Sequence, residues 1–229
     1  VEKARYIWMD GALVPWDDAQ VHVLTHTLHY GLGAFEGIRC YDTVRGPAIF
    51  RHREHVDRLF NSAKIGGMTL PYTKDQIAEA TRNLIRENEQ KAVYIRPLVW
   101  FGNDRLGVNN IGITVHVMIA SYVFVTPPIG SALGGITRET LIRIAQDDGI
   151  EVKEDRLVRD RLYTADEVFL TGTAAEVTPV REVDRRQVGT GGRGPIVERL
   201  QKKFFSVVRG EDPRYASWLD PIGVPAKKA

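Results

Sequence analysis

Two short stretches of this chain have the composition to hold a phosphate. Gly134-Gly135-Ile136-Thr137 opens onto an apolar helical pattern, so the unpaired N–H groups and positive dipole end of that helix would meet an anion. Gly172-Thr173-Ala174-Ala175 lies between two runs that read as strands, and its small residues let a ligand approach the backbone. Glycine before a helix is more often an ordinary loop. The pair in one half of the chain leaves both readings open. Arg58 stands beside Val56, Leu59 and Phe60 and reads first as a solvated or snorkelling arginine. Arg96 is more suggestive, because it shares a strand face with Tyr94 between Ile95 and Pro97. A partly buried guanidinium there needs a carboxylate, from protein or ligand. Tyr30 follows two histidines and precedes a glycine-rich turn, which could face its hydroxyl into a cavity.

Other chemistries find little support. His22, His26 and His29 could share a helical face, but no cysteine joins them, and His52 and His55 read as lying beside a solvated helix face. Core or surface histidine is the better reading for all five, and no metal is expected. Cys40, the one cysteine, sits among strand residues without a base nearby and excludes an internal disulfide framework. Nucleotide-fingerprint, phosphate-loop and nucleophile-elbow motifs are missing. The 229 residues are 43% hydrophobic and 26% charged, with 31 basic against 29 acidic side chains, a net charge of +2. That describes a globular chain with no basic run for nucleic acid, no membrane-length apolar run and no signal peptide at the start. A cytoplasmic α/β protein is the expectation.

The positioning elements follow from pattern. Asp10-Gly11 between Tyr6–Met9 and Ala12–Val14 predicts a hairpin. His22–Leu24 reads as a short strand, Ile38–Tyr41 and Ala48–Phe50 as strands about an Arg45-Gly46 turn. Residues 51–65 carry a helical stripe that Gly66-Gly67 ends, and Thr73 with Gln76 predicts a capping box. Val93–Phe101 and Ile113–Val123 read as strands, with Pro97 pointing to an edge or a bulge. Thr137 is the expected N-cap of a helix that Gly149 stops. A strand at Ile150–Val152, a short helix at Arg159–Tyr163 and strands on both sides of Thr173–Ala175 follow. The last helix starts near Pro195, with Ile196, Leu200, Phe204 and Val207 inward.

Taken together, these residues resemble the branched-chain amino-acid aminotransferases, class IV enzymes that use pyridoxal 5′-phosphate. The resemblance lies in His29-Tyr30-Gly31, Phe35–Arg39, Phe50-Arg51 through Arg58 to Lys64, and Tyr94–Leu98. In the second half it lies in Gly135–Arg138, Leu162–Val168 and Gly172–Pro179. It implies a two-domain α/β and α+β fold of type IV: a small N-terminal domain over residues 1–122, and over 123–229 what is present of a larger pseudo-barrel cofactor domain. By resemblance, Arg58 clamps the cofactor phosphate, with Gly135, Ile136 and Thr137 adding backbone donors and Thr173 a hydroxyl. Tyr30, Phe35, Gly37, Tyr94 and Arg96 line the substrate pocket, and Thr173, Ala174 and Ala175 bind the substrate α-carboxylate. The implied reaction exchanges the amino group of L-leucine, L-isoleucine or L-valine with 2-oxoglutarate. The implied partners are those amino acids and 2-oxo acids, in a homodimer or a dimer-based hexamer. A D-amino-acid aminotransferase and an aminodeoxychorismate lyase are the related alternatives.

One departure stands out. The family requires a lysine that forms a Schiff base with the cofactor aldehyde and a glutamate against the pyridine nitrogen. Both belong to a segment between the two halves that is absent here, and the gap falls at Val123–Phe124, where a strand runs on without a turn. None of the nine lysines is a convincing substitute. Either the protein carries this segment and the printed chain joins its flanks, or a true deletion leaves a non-catalytic scaffold. The first is the better physical reading, because losing central strands would expose apolar faces.

Overall fold

Asp10 and Gly11 both lie at positive φ, 47° and 97°, the conformation of a two-residue hairpin turn, and the Asp-Gly expectation holds. They join β1 (Tyr6–Met9) to β2 (Ala12–Pro15). In this computed structural model residues 3–107, 109–122, 135–154 and 159–223 are described. The chain divides into two compact units, Val1–Val125 with Ser217–Ala229, and Thr126–Ala216.

The first unit is an antiparallel sheet covered by helices. After α1 (His26–Tyr30) come β3 (Gly33–Phe35), β4 (Ile38–Thr43) and β5 (Gly46–Phe50). Then follow α2 (His52–Ile65), α3 (Lys74–Glu87), β6 (Val93–Phe101) and β7 (Val115–Tyr122). A last strand, Leu219–Pro221, returns to pair with β5. In sheet order this last strand is followed by β5, β4, β6, β7, β1 and β2, with β3 also on β6. The α2 stripe of Val56, Leu59 and Ala63 and the α3 stripe of Ile77, Leu84 and Ile85 are buried against Ile38, Ile49, Ile95 and Ile119. Each Val, Leu or Ile among them contributes about 1.5–3 kcal/mol on burial. Thr73 and Gln76 form the predicted capping box at the start of α3.

The second unit holds α4 (Ile136–Asp147), α5 (Arg159–Tyr163), the hairpin β8 (Phe169–Gly172) and β9 (Glu176–Pro179), the two-residue strands β10 (Glu182–Val183) and β11 (Arg186–Gln187), and α6 (Pro195–Val208). Helix α4 packs on β8 and α6, and α6 on β9. No side chain of its own caps α6. The Glu167 carboxylate accepts the N–H groups of Ile196 and Val197 instead, at 3.0 and 2.8 Å.

Several expectations change. His22–Leu24 is a turn, in which His22 accepts the N–H groups of Leu24 and Thr25. Pro97 sits on a central strand. It is tolerated because β4 pairs only up to Ile95 and β3 only from Leu98, so the neighbouring chain is interrupted opposite it. Thr137 lies in the first turn of α4, whose cap is Gly135. Residues 150–152 form no strand, and Ile196 is exposed while Val197 takes the inward place. The Val123–Phe124 join lies outside the described residues.

Candidate active site

The register of β6 builds one wall of the site. Leu98 pairs with Phe35, Ile95 with Ile38 and Tyr94 with Arg39, which leaves Glu36-Gly37 bridging two strands beside Arg96-Pro97. Tyr94 and Arg96 alternate onto one face, and Arg96 Nη2 donates to Tyr94 Oη at 2.9 Å. The Arg96 guanidinium also lies over the Phe35 ring at 4.5 Å and the Tyr94 ring at 5.3 Å. Its Nε is buried and has no partner. Gly37 is required for this closeness, because a Cβ there would stand 2.2 Å from Tyr94 Oη. Four of the expected pocket residues, Phe35, Gly37, Tyr94 and Arg96, therefore converge on an apolar wall carrying one oriented cation. Tyr30 makes no such contact. Its ring packs on His26 at 4.5 Å, and it is 42% exposed.

Arg58 is not a free surface arginine. Its Nε and Nη2 donate to the two oxygens of Glu36 at 2.6 and 2.8 Å, and His55 Nδ1 meets Glu36 Oε2 at 2.8 Å. Glu36 and His55 are both buried. Burial pushes the Glu36 carboxyl up, but hydrogen bonds from Arg58 and His55 outweigh it and hold it below its ordinary range. Burial drives the His55 imidazole below its ordinary value, against the opposing pull of Glu36. Sequence reasoning gave no role to Glu36 or His55 and left His52 and His55, beside a solvated helix face, as core or surface histidines. His52 and His55 are only 2% exposed, and the spacing His52, Val56, Leu59, Ala63 on the α2 stripe is the signal that could have placed His52 inward.

The remaining expected phosphate residues lie in the second unit. Gly135 caps α4 without a side-chain hydrogen bond, and Ile136 and Thr137 are buried in its first turn. One turn further, Thr140 is buried with its hydroxyl unpartnered. A helix start of this kind, with backbone donors and an unsatisfied hydroxyl, suits an anion. Thr173, Ala174 and Ala175 form the half-buried turn between β8 and β9, and Thr178 Oγ1 donates to Ala175 O at 2.6 Å. These donors fit a phosphate ester. Among the described lysines, Lys64, Lys91 and Lys153 are exposed, Lys3 pairs with Asp17, Lys74 with Asp57, Lys202 with Glu198 and Lys203 with Asp212.

Elsewhere, a cavity of about 550 Å³ beside Arg51, His52, Lys74, Arg82, Trp218 and Asp220 is lined by charges largely paired among themselves. Among the described residues no group of three or more His, Cys, Asp or Glu could hold a metal, and no helix is long and apolar enough to cross a membrane. Cys40 is buried, which pushes its thiol up to about 12 and rules it out as a nucleophile at neutral pH.

The model of the amino-transferase class IV family matches in two stretches, residues 33–122 and 113–183. The branched-chain-amino-acid aminotransferase of Pseudomonas aeruginosa is 39% identical, over 93% of this chain and 95% of its own length. That of Escherichia coli K12 is 37% identical, over 96% and 98%. The crystal structure of the T.th. branched-chain amino acid aminotransferase with pyridoxamine 5′-phosphate superposes with a TM-score of 0.92 at 36% identity, covering 96% of this chain and 99% of that one. The same enzyme is known complexed with N-(5′-phosphopyridoxyl)-L-glutamate and with 4-methylvaleric acid. The alignment to the Pseudomonas enzyme runs over 293 residues, more than the 229 present here, so part of that relative faces no residue of this chain. The two family-matched stretches meet at residues 113–122, just before the Val123–Phe124 join. The fold is type IV, and the chain belongs to the class IV aminotransferases, in the branched-chain-amino-acid aminotransferase family.

Proposed function

We propose that the protein transfers the amino group of L-leucine, L-isoleucine or L-valine to 2-oxoglutarate with pyridoxal 5′-phosphate. The cofactor, once bound, supplies the electron sink for the bond broken at the substrate Cα. By the family resemblance Arg58 would hold its phosphate, as would the Gly135, Ile136 and Thr137 backbone at the start of α4 and the Thr173 hydroxyl. The backbone of Thr173, Ala174 and Ala175 takes the substrate α-carboxylate. Phe35, Gly37 and Tyr94 present an apolar surface to an aliphatic side chain and exclude water from it. Arg96 answers the γ-carboxylate when glutamate or 2-oxoglutarate occupies the same space.

The observation that carries this reading is Arg96, stacked on Phe35, oriented by Tyr94 and buried at an unpartnered Nε. One wall thus serves both an aliphatic and an acidic substrate. On this reading these 229 residues bind and orient, and the proton-moving lysine belongs to a segment absent from them.

Self-association is part of the proposal. Val23, Leu28, Tyr30 and Phe35 are 74, 62, 42 and 56% exposed, an apolar stretch that a second copy would cover to form a dimer or a hexamer of dimers. A cytoplasmic setting suits the single buried thiol. The test is a panel of L-valine, L-leucine, L-isoleucine and D-alanine with 2-oxoglutarate, followed by glutamate formation. Glutamate from the three L-amino acids and none from D-alanine is expected. Preference for D-alanine would point to the D-amino-acid enzymes of the class.

A further inference from the structure

We propose that Glu36 is the positioning residue of the Arg58 phosphate anchor and ties that anchor to the substrate wall; the proposal rests on the assignment of Arg58 to the cofactor phosphate. Glu36 is 2% exposed, and a carboxylate withdrawn from water is costly unless its oxygens are met by donors. The donors come from one turn of one helix: Arg58 through Nε and Nη2, and His55 through Nδ1. An ionised carboxylate only accepts, so His55 Nδ1 carries the proton and donates. The buried ring is neutral at pH 7 and adds no charge to compete with Arg58.

Glu36 thus fixes the Nε–Nη2 edge of the guanidinium and with it the plane in which Arg58 would meet a phosphate. Holding the fork in advance lowers the ordering cost of binding. The position of Glu36 adds a second consequence. Its N–H donates to Pro97 O at 3.1 Å, and its chain neighbours are Phe35 and Gly37. The residue that aims the anchor and the residues that build the wall are consecutive.

The test measures binding of pyridoxamine 5′-phosphate and of pyridoxamine, neither of which needs a lysine, by tryptophan fluorescence. The proteins are the wild type, Glu36→Gln, Arg58→Ala and the double variant. Glu36→Gln is expected to weaken the phosphorylated ligand on the order of tenfold, the loss of one charge-assisted hydrogen bond. It is expected to leave pyridoxamine unchanged and to have no further effect once Arg58 is alanine. If Arg58→Ala leaves the phosphorylated ligand unaffected, the assignment of Arg58 fails and the proposal with it. If Arg58→Ala weakens binding and Glu36→Gln does not, the positioning role alone is overturned. Should Glu36→Gln not fold, His55→Asn and His55→Leu carry the same test. The first retains an N–H toward Glu36 and is expected to bind as wild type. The second is expected to lose affinity for the phosphorylated ligand only, and equal affinities in the two would overturn the proposal.

Discussion

The hydroxyl oxygen of Tyr94 lies where a Cβ on Gly37 would intrude, at 2.2 Å. Gly37 is therefore a packing requirement of the wall and not a hinge. Tyr94 is buried and its hydroxyl is held by Arg96, so it has no cheap way to yield. Gly37→Ala is expected to destabilise the protein by about 1–3 kcal/mol, the usual cost of overpacking. It should also weaken binding of 4-methylvaleric acid. Urea denaturation and a ligand titration check both, and an unchanged midpoint with unchanged affinity would count against the geometry.

Arg96→Met keeps much of the volume over Phe35 and removes the charge. Affinity for 2-oxoglutarate is expected to fall at least about tenfold, because a carboxylate is left facing an apolar group. L-leucine is expected to bind nearly as before. Equal losses for both ligands would mean that Arg96 supports the fold and not the choice of substrate.

Acid is expected to loosen the first unit in two stages. The folded-state value of His55 is depressed by burial, so its contribution is complete above its ordinary 6.5 and is lost as pH falls below that. Glu36 is depressed from 4.5 by Arg58 and His55 against its burial, so its contribution is lost at lower pH still. Denaturation midpoints measured from pH 7.5 down to about 2 should fall in this order. His55→Leu should remove the first stage.

The Cys40 thiol, raised to about 12 by burial, is expected to resist alkylation in the native protein and to react once the chain unfolds. Thiol titration with and without denaturant checks this. Fast reaction in the folded state would mean that the strand pair β4 and β5 opens readily.

Pattern made much of this fold readable. The stripe of Ile77 and Leu84 with the Thr73–Gln76 box fixed α3, and the run from Val93 to Phe101 is a strand over its whole length. What escaped depends on partners distant in sequence. Pro97 is central because a neighbouring chain breaks opposite it, and the return of Leu219–Pro221 to β5 is set by 3-D closure. The site was less legible. Arg58 looked like a surface arginine because its carboxylate lies 22 positions away, and Glu36 and His55 are polar residues at core positions, which hydrophobic period alone passes over. The expected roles of Phe35 and Gly37 came from family resemblance; the structure adds that Phe35 lies under Arg96 and that Gly37 abuts Tyr94 Oη.

The most direct measurement takes the intact mass of a purified sample that converts L-leucine and 2-oxoglutarate to glutamate. On the proposed reading these 229 residues, 25.8 kDa, carry the binding groups and lack the lysine that moves the proton. A mass well above 25.8 kDa is the expected result, with the added residues falling at the Val123–Phe124 join. A 25.8 kDa polypeptide that turns leucine over would contradict it and assign the covalent role to one of the nine lysines present.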